Sequence, residues 1–241
     1  MKIAQEIKKA KNLSLKTYFL SSFLISNRIS PYISSIYIKK KVVPNTITLH
    51  MIYSGIIGAI FFSLPNIYLK VVGALFIHLW FILDCSDGEV ARYTKTFSKF
   101  GKELDYMAHL INHPLFGLSF FISLMQFERY NIYNLAILIL LSNFLEYLNR
   151  NLITLNLVLQ LKEQKQIVSN NDKWTLKRII LFFVNIFTIY PNLILFGVII
   201  YFIDYFIGSN ILYLYLVMNV LLSSIMAIWD MIKYTKKFYF S

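Results

Sequence analysis

An all-α integral membrane protein is the fold class this sequence predicts: six transmembrane helices preceded by an interfacial amphipathic helix, with both termini cytoplasmic. Three observations carry it. Hydrophobic residues make up 57% of the 241 and charged residues only 15%, against roughly 25% charged in soluble domains. Polar side chains are too few to coat a soluble globule of this size. Six stretches are apolar over the length, or nearly the length, needed to cross a hydrocarbon core of ~30 Å. The basic residues are also one-sided: with the N-terminus inside, 22 of the 24 Lys and Arg fall in cytoplasmic segments, and only Lys70 and Arg129 fall outside. That is the positive-inside bias.

The elements follow in order. The segment 17–38 holds Asn27, Arg28, Pro31 and six serines. These are costly in hydrocarbon, so a helix lying on the cytoplasmic face fits better than a seventh span. Lys39, Lys40 and Lys41 follow among anionic head groups. The spans are expected at 47–64, 67–83, 104–127, 132–157, 179–203 and 211–230. Between them stand Leu64-Pro65-Asn66, the acidic segment after Leu83, Glu128-Arg129, the polar run from Lys162 to Arg178, and Gly208-Ser209-Asn210. This divides the chain into a cytoplasmic N-terminal segment with the interfacial helix, 1–46, and a six-helix transmembrane domain, 47–241. No cleavable signal peptide is expected, because the first apolar stretch is late and rich in serine. The single cysteine, Cys85, excludes an intramolecular disulfide. The net charge of +12 points to anionic lipid in so apolar a chain, and no nucleic-acid partner is expected.

The acids are concentrated. Five of the twelve, Asp84, Asp87, Glu89, Glu103 and Asp105, fall between residues 84 and 105. Asp84 closes the second expected span and Asp105 opens the third. Ionisable groups at that depth default to function. Asp84 and Asp87 share a helix face at i, i+3, and Asp105 and His109 share one at i, i+4. Two helices thus aim carboxylates at a common point, where unpaired charges would repel and lose solvation. A hard divalent cation relieves both costs, and oxygen ligands favour Mg²⁺, Mn²⁺ or Ca²⁺. The bland alternative is ion pairing with Arg92, Lys95, Lys99 and Lys102. Gly88, Ala91 and Gly101 are small residues that permit close helix approach or leave room for a flat ring.

Residues 84–105 read Asp-x2-Asp-Gly-x2-Ala-Arg-x8-Gly-x3-Asp, as Asp84, Asp87, Gly88, Ala91, Arg92, Gly101 and Asp105. This closely resembles the signature of the CDP-alcohol phosphotransferases, also called CDP-alcohol phosphatidyltransferases. Pro44-Asn45-Thr46-Ile47-Thr48 resembles a run the family often carries at its first span. The resemblance implies a six-helix membrane fold, usually homodimeric, with a polar cavity open to the cytoplasm. It implies a multi-pass protein of the inner (cytoplasmic) membrane. It also implies transfer of a substituted phosphoryl group from a CDP-linked donor, CDP-diacylglycerol or another CDP-alcohol, to an alcohol acceptor with release of CMP. The setting would be phospholipid or lipid-linked glycan synthesis. By the family pattern Asp84, Asp87 and Asp105 hold one or two Mg²⁺ or Mn²⁺ ions, and Asp105 is counted with the catalytic residues. Gly88, Ala91 and Gly101 shape the cytidine pocket, Arg92 orders the site or the diphosphate, and Asn45 and Thr48 border the nucleotide.

The chain departs from the pattern at one position. Where the family has a fourth aspartate, its general base, this sequence has His109. Three readings stay open. His109 serves as base or as nitrogen ligand to a metal; the acceptor differs and needs a different proton partner; or the chain binds nucleotide without turnover. His113 reads as a helix-packing residue, with a partner supporting the site residues from behind as the alternative, and Glu146 with Arg150 reads as a local i, i+4 ion pair, with phosphate binding by Arg150 as the sharper alternative. The competing class is a non-enzymatic nucleotide- or metal-binding membrane protein, or a transporter. The matched broken helices of transporter halves are not visible.

Overall fold

The computed structural model describes residues 2–11, 20–162 and 176–240. The start of the expected interfacial segment and most of the polar run after Lys162 lie outside the described residues. All regular structure among the described residues is helical: α1 Lys2–Lys11, a π-helical turn Ser22–Ser26, α2 Asn27–Lys39, α3 Pro44–Ser63, α4 Ile67–Thr94, α5 Gly101–Met125, α6 Ile132–Lys162, α7 Leu176–Thr188, α8 Tyr190–Ile207 and α9 Ile211–Phe240. Among the described residues, six stretches are long and apolar enough to cross a membrane: Pro44–Ser63, Ile67–Thr94, Gly101–Met125, Ile132–Leu155, Tyr190–Ile207 and Ile211–Lys236.

Two boundaries differ from the hydropathy reading, each for a physical reason. The second helix does not stop at residue 83; α4 runs 28 residues to Thr94. At ~1.5 Å per residue that is about 42 Å, longer than a hydrocarbon core of ~30 Å. Hydropathy marks where the apolar run ends, whereas the helix continues into polar sequence until Lys95 adopts a left-handed conformation, φ 57°. Asp84 to Arg92 therefore ride on a continuous helix. The fifth expected span, 179–203, is broken. Ile189 is extended (φ −77°, ψ 121°) and Pro191 sits in the first turn of α8. A proline is tolerated there because its missing N–H would have no helical partner. Apolar residues continue across the break, so composition alone does not reveal it.

The packing is built around α4. It lies along α3, with α2 against its far end, while α5 packs on α3 and α6 joins α5 to α9. Phe62, Trp80, Phe116 and Tyr201 are buried in the core. α2 is turned polar side in: Asn27, Ser30, Ser34 and Ser35 are buried, while Ile29, Tyr32 and Ile36 are exposed. Its serines meet Glu89 of α4, with Ser30 Oγ and Ser34 Oγ donating at 2.5 and 2.6 Å, and Lys11 of α1 pairs with the same carboxylate. An apolar outer face suits a helix bordering lipid.

The α3–α4 contact depends on glycine. A Cβ at Gly73 would lie 2.8 Å from the Gly58 carbonyl oxygen and 2.8 Å from Phe62 Cα. Both are backbone atoms that cannot swing aside. Gly73→Ala is expected to push the two helices apart and cost about 1–3 kcal/mol. A fall in thermal midpoint in detergent is the check; an unchanged midpoint would contradict this packing.

Candidate active site

Because α3, α4 and α5 run antiparallel in sequence, the start of α3, the end of α4 and the start of α5 meet at one end of the bundle. The first turn of α3 contributes Asn45 and Thr48. The last turns of α4 contribute Asp84, Asp87, Gly88, Ala91 and Arg92. The first turns of α5 contribute Gly101, Asp105 and His109. A cleft of about 670 Å³ opens between them, lined by all of these except His109, with Lys11 and Asn27 from the N-terminal helices and Phe97, Lys99 and Lys102 from the α4–α5 connection and the start of α5.

Asp84, Asp105 and His109 each bring one ligand atom to a common point, all within 4.8 Å of one another. His109 Nε2 is 3.2 Å from Asp84 Oδ1 and 3.5 Å from Asp105 Oδ1. Two atoms bound to one ion at ~2.0–2.6 Å can be no more than about 5 Å apart, so the three fit a single cation. Asp105 Oδ1 is buried without a hydrogen-bond partner, which a buried carboxylate oxygen tolerates poorly. The donor set, two carboxylates and an imidazole, suits a divalent metal. Asp87 stands beside this cluster and outside it: its Oδ2 accepts from Thr48 Oγ1 at 2.8 Å, leaving it on the cleft wall. Among the described residues, Asp84, Asp87 and Asp105 form no ion pair with Arg92, Lys95, Lys99 or Lys102. Ion pairing within the α4–α5 connection therefore does not account for these acids. Glu89, counted among them in the sequence, faces α2.

The small residues have distinct surroundings. The Arg92 guanidinium folds over Gly88, where a Cβ would lie 3.0 Å from Nη1. A Cβ at Gly101 would meet Ser98 Cβ at 3.5 Å and Asn45 Oδ1 at 3.7 Å, ordinary contacts. Gly101 is thus not forced by protein packing; a side chain there would occupy the cleft. Asn45 Nδ2 donates to Ser98 Oγ at 3.0 Å, tying α3 to the α4–α5 connection.

Below the cluster runs a polar chain the sequence reading did not assemble. His109 Nδ1 is 3.0 Å from His113 Nε2, and His113 Nδ1 is 2.9 Å from Glu146 Oε1 on α6. Arg150 Nε donates to the same Glu146 oxygen at 3.1 Å. His113 is buried, and so does pack, but it does so as a link between polar groups. Trp80 sits edge-on to both imidazoles with ring centroids 5.7 Å away. Tyr190, at the start of α8, stacks on His113 at 3.7 Å. The sequence signal for Glu146 and Arg150 was their spacing; which way that face of α6 points was not in it.

Fold and site together define a polytopic membrane protein with a cleft whose acid and histidine groups have the spacing to hold a cation, with basic side chains around them. The profile of the CDP-alcohol phosphatidyltransferase family matches residues 41–230. The chain belongs to that family. A search of curated proteins finds no match. Membership brings transfer of a phosphoryl group from a CDP-alcohol to an acceptor, a membrane setting and the use of a divalent metal.

Proposed function

We propose that this protein moves a substituted phosphoryl group from CDP-diacylglycerol or another CDP-alcohol to an alcohol acceptor, releasing CMP, in phospholipid or lipid-linked glycan synthesis. It works at the cytoplasmic face of the inner membrane, most simply as a homodimer. The observation that carries this reading is the convergence of Asp84, Asp105 and His109, whose two carboxylates line a cleft also lined by Arg92, Lys99 and Lys102. A nucleoside diphosphate with its cation needs both halves of that arrangement.

Asp84, Asp105 and His109, with Asp87 beside them, would hold Mg²⁺ or Mn²⁺. The bound ion supplies charge neutralisation on the diphosphate and on the departing CMP. Everything else falls to the chain. Arg92, its guanidinium over Gly88, offers a planar fork to phosphate oxygens. Gly101, Gly88 and Ala91 keep the cleft free for a flat base, and Asn45 and Thr48 border it from α3. The proton of the acceptor hydroxyl goes to Asp105 or His109. Asp105 lines the cleft and His109 does not, so His109 is better placed as a ligand than as a base.

The test is CMP release by the purified protein in detergent or lipid with Mg²⁺ or Mn²⁺. Donors would be CDP-diacylglycerol, CDP-choline, CDP-ethanolamine, CDP-glycerol and CDP-ribitol, each with pooled alcohol acceptors. Metal-dependent release with one donor is expected. Metal-dependent binding of a CDP compound with no release from any donor would instead support a non-catalytic family member.

A further inference from the structure

We infer that His113 and Glu146 are positioning residues for His109: they fix its tautomer, so that Nε2 turns a lone pair toward the point it shares with Asp84 and Asp105. The inference rests on the metal-site reading above.

The direction of the hydrogen bonds follows from one end of the chain. A carboxylate only accepts, so His113 Nδ1, 2.9 Å from Glu146 Oε1, carries a hydrogen and donates it. A neutral imidazole with its hydrogen on Nδ1 has only a lone pair on Nε2. That atom is 3.0 Å from His109 Nδ1, so His109 donates from Nδ1. His109 Nε2 is then the nitrogen left for a cation, and it is the one that lies 3.2 Å from Asp84 Oδ1 and 3.5 Å from Asp105 Oδ1.

A reversed chain can be written. Arg150 Nη2 is 3.3 Å from His113 Nδ1; if it donated there, His113 would carry its hydrogen on Nε2, and His109 would be left donating to the carboxylates with no lone pair for a metal. The contacts favour the first direction. Glu146 is the closer partner of His113 Nδ1, and an Nδ1 without hydrogen would set two lone pairs against each other at 2.9 Å. Arg150 is already engaged with Glu146 through Nε at 3.1 Å.

The rings are also held in place. His113 is 1% exposed, stacked on Tyr190, whose hydroxyl donates to the His113 carbonyl. Trp80 packs against both imidazoles at steep angles. Four helices, α4, α5, α6 and α8, thus converge to set the orientation of one nitrogen. An imidazole ligand whose second nitrogen is anchored in this way is oriented and made more basic, and losing the anchor typically costs about 10–100-fold in metal affinity.

Two measurements on the full-length protein in lipid nanodiscs test this. Nitrogen-15 NMR of labelled histidine, with the His113 signals assigned by their loss in His113→Gln, should show hydrogen on Nδ1 and none on Nε2. The opposite tautomer would overturn the inference. Mn²⁺ binding followed by electron paramagnetic resonance should weaken about 10–100-fold in His113→Leu. It should recover in His113→Gln, whose carbonyl can accept from His109 while its amide donates to Glu146. Equal affinity in the wild type and His113→Leu, or no recovery in His113→Gln, would overturn the positioning role. Failure of the wild type to bind Mn²⁺ would remove the metal-site reading instead, and the NMR arm would still decide the direction of the chain.

Discussion

Asp105→Asn is expected to abolish metal-dependent binding of a CDP compound and to reduce CMP release by at least about 100-fold, more than the loss of an outer partner costs. Asparagine keeps the size and shape of the side chain, so the helix and the cleft should survive and the change reads the charge alone. The particular oxygen matters: Asp105 Oδ1 is buried and without a hydrogen-bond partner, and it lies 3.5 Å from His109 Nε2. A bound cation would satisfy a carboxylate left in that condition. An amide there would present either a neutral oxygen of lower affinity or an N–H aimed at the ion's position. Isothermal titration of Mn²⁺ and a CDP compound, with circular dichroism to verify folding, is the check. Undiminished metal dependence in the folded variant would exclude Asp105 as a ligand.

Which parts of this protein were legible in the sequence depends on the range of the interactions involved. The six spans were, because hydropathy reports directly on solvent. The pairing of Asp84 with Asp105 and His109 was also legible, since each group sits at the end of a span and the spans are consecutive; antiparallel neighbours joined by a short connection must bring those ends together. The side on which a residue faces was less accessible. Glu89 is two positions from Asp87, far enough around the helix to face α2, where Ser30, Ser34 and Lys11 surround it. The break at Ile189 left no mark because the residues on both sides are apolar; only Pro191 hinted at it. His113 and Glu146 are 33 positions apart, and their meeting depends on how α6 is rotated about its own axis. That rotation is set by packing along the whole of α5 and α9, which no local pattern encodes.

His109→Asp and His109→Ala separate the roles open to His109. His109→Asp adds a third carboxylate to the set formed with Asp84 and Asp105. It is expected to retain or raise CMP release and to move metal preference from Mn²⁺ toward Mg²⁺, because a purely oxygen donor set suits the harder ion and an imidazole suits the softer one. His109→Ala should lose a ligand at the shared point and leave His113 Nε2 without its donor. Metal affinity and activity are then expected to fall together, by about 100-fold or more. The location of His109, 14% exposed in its side chain and reaching the cleft through Asp84 and Asp105, argues for a ligand over a proton acceptor in contact with substrate. The two roles give different results at saturating Mn²⁺. A ligand is largely compensated by excess metal, so His109→Ala should recover much of its activity there. A base is not, and its loss would persist as a lowered kcat with unchanged metal affinity, rescued by His109→Asp without any shift in metal preference. Full activity of His109→Ala at limiting metal would exclude both roles and leave the imidazole as part of the buried chain to Glu146.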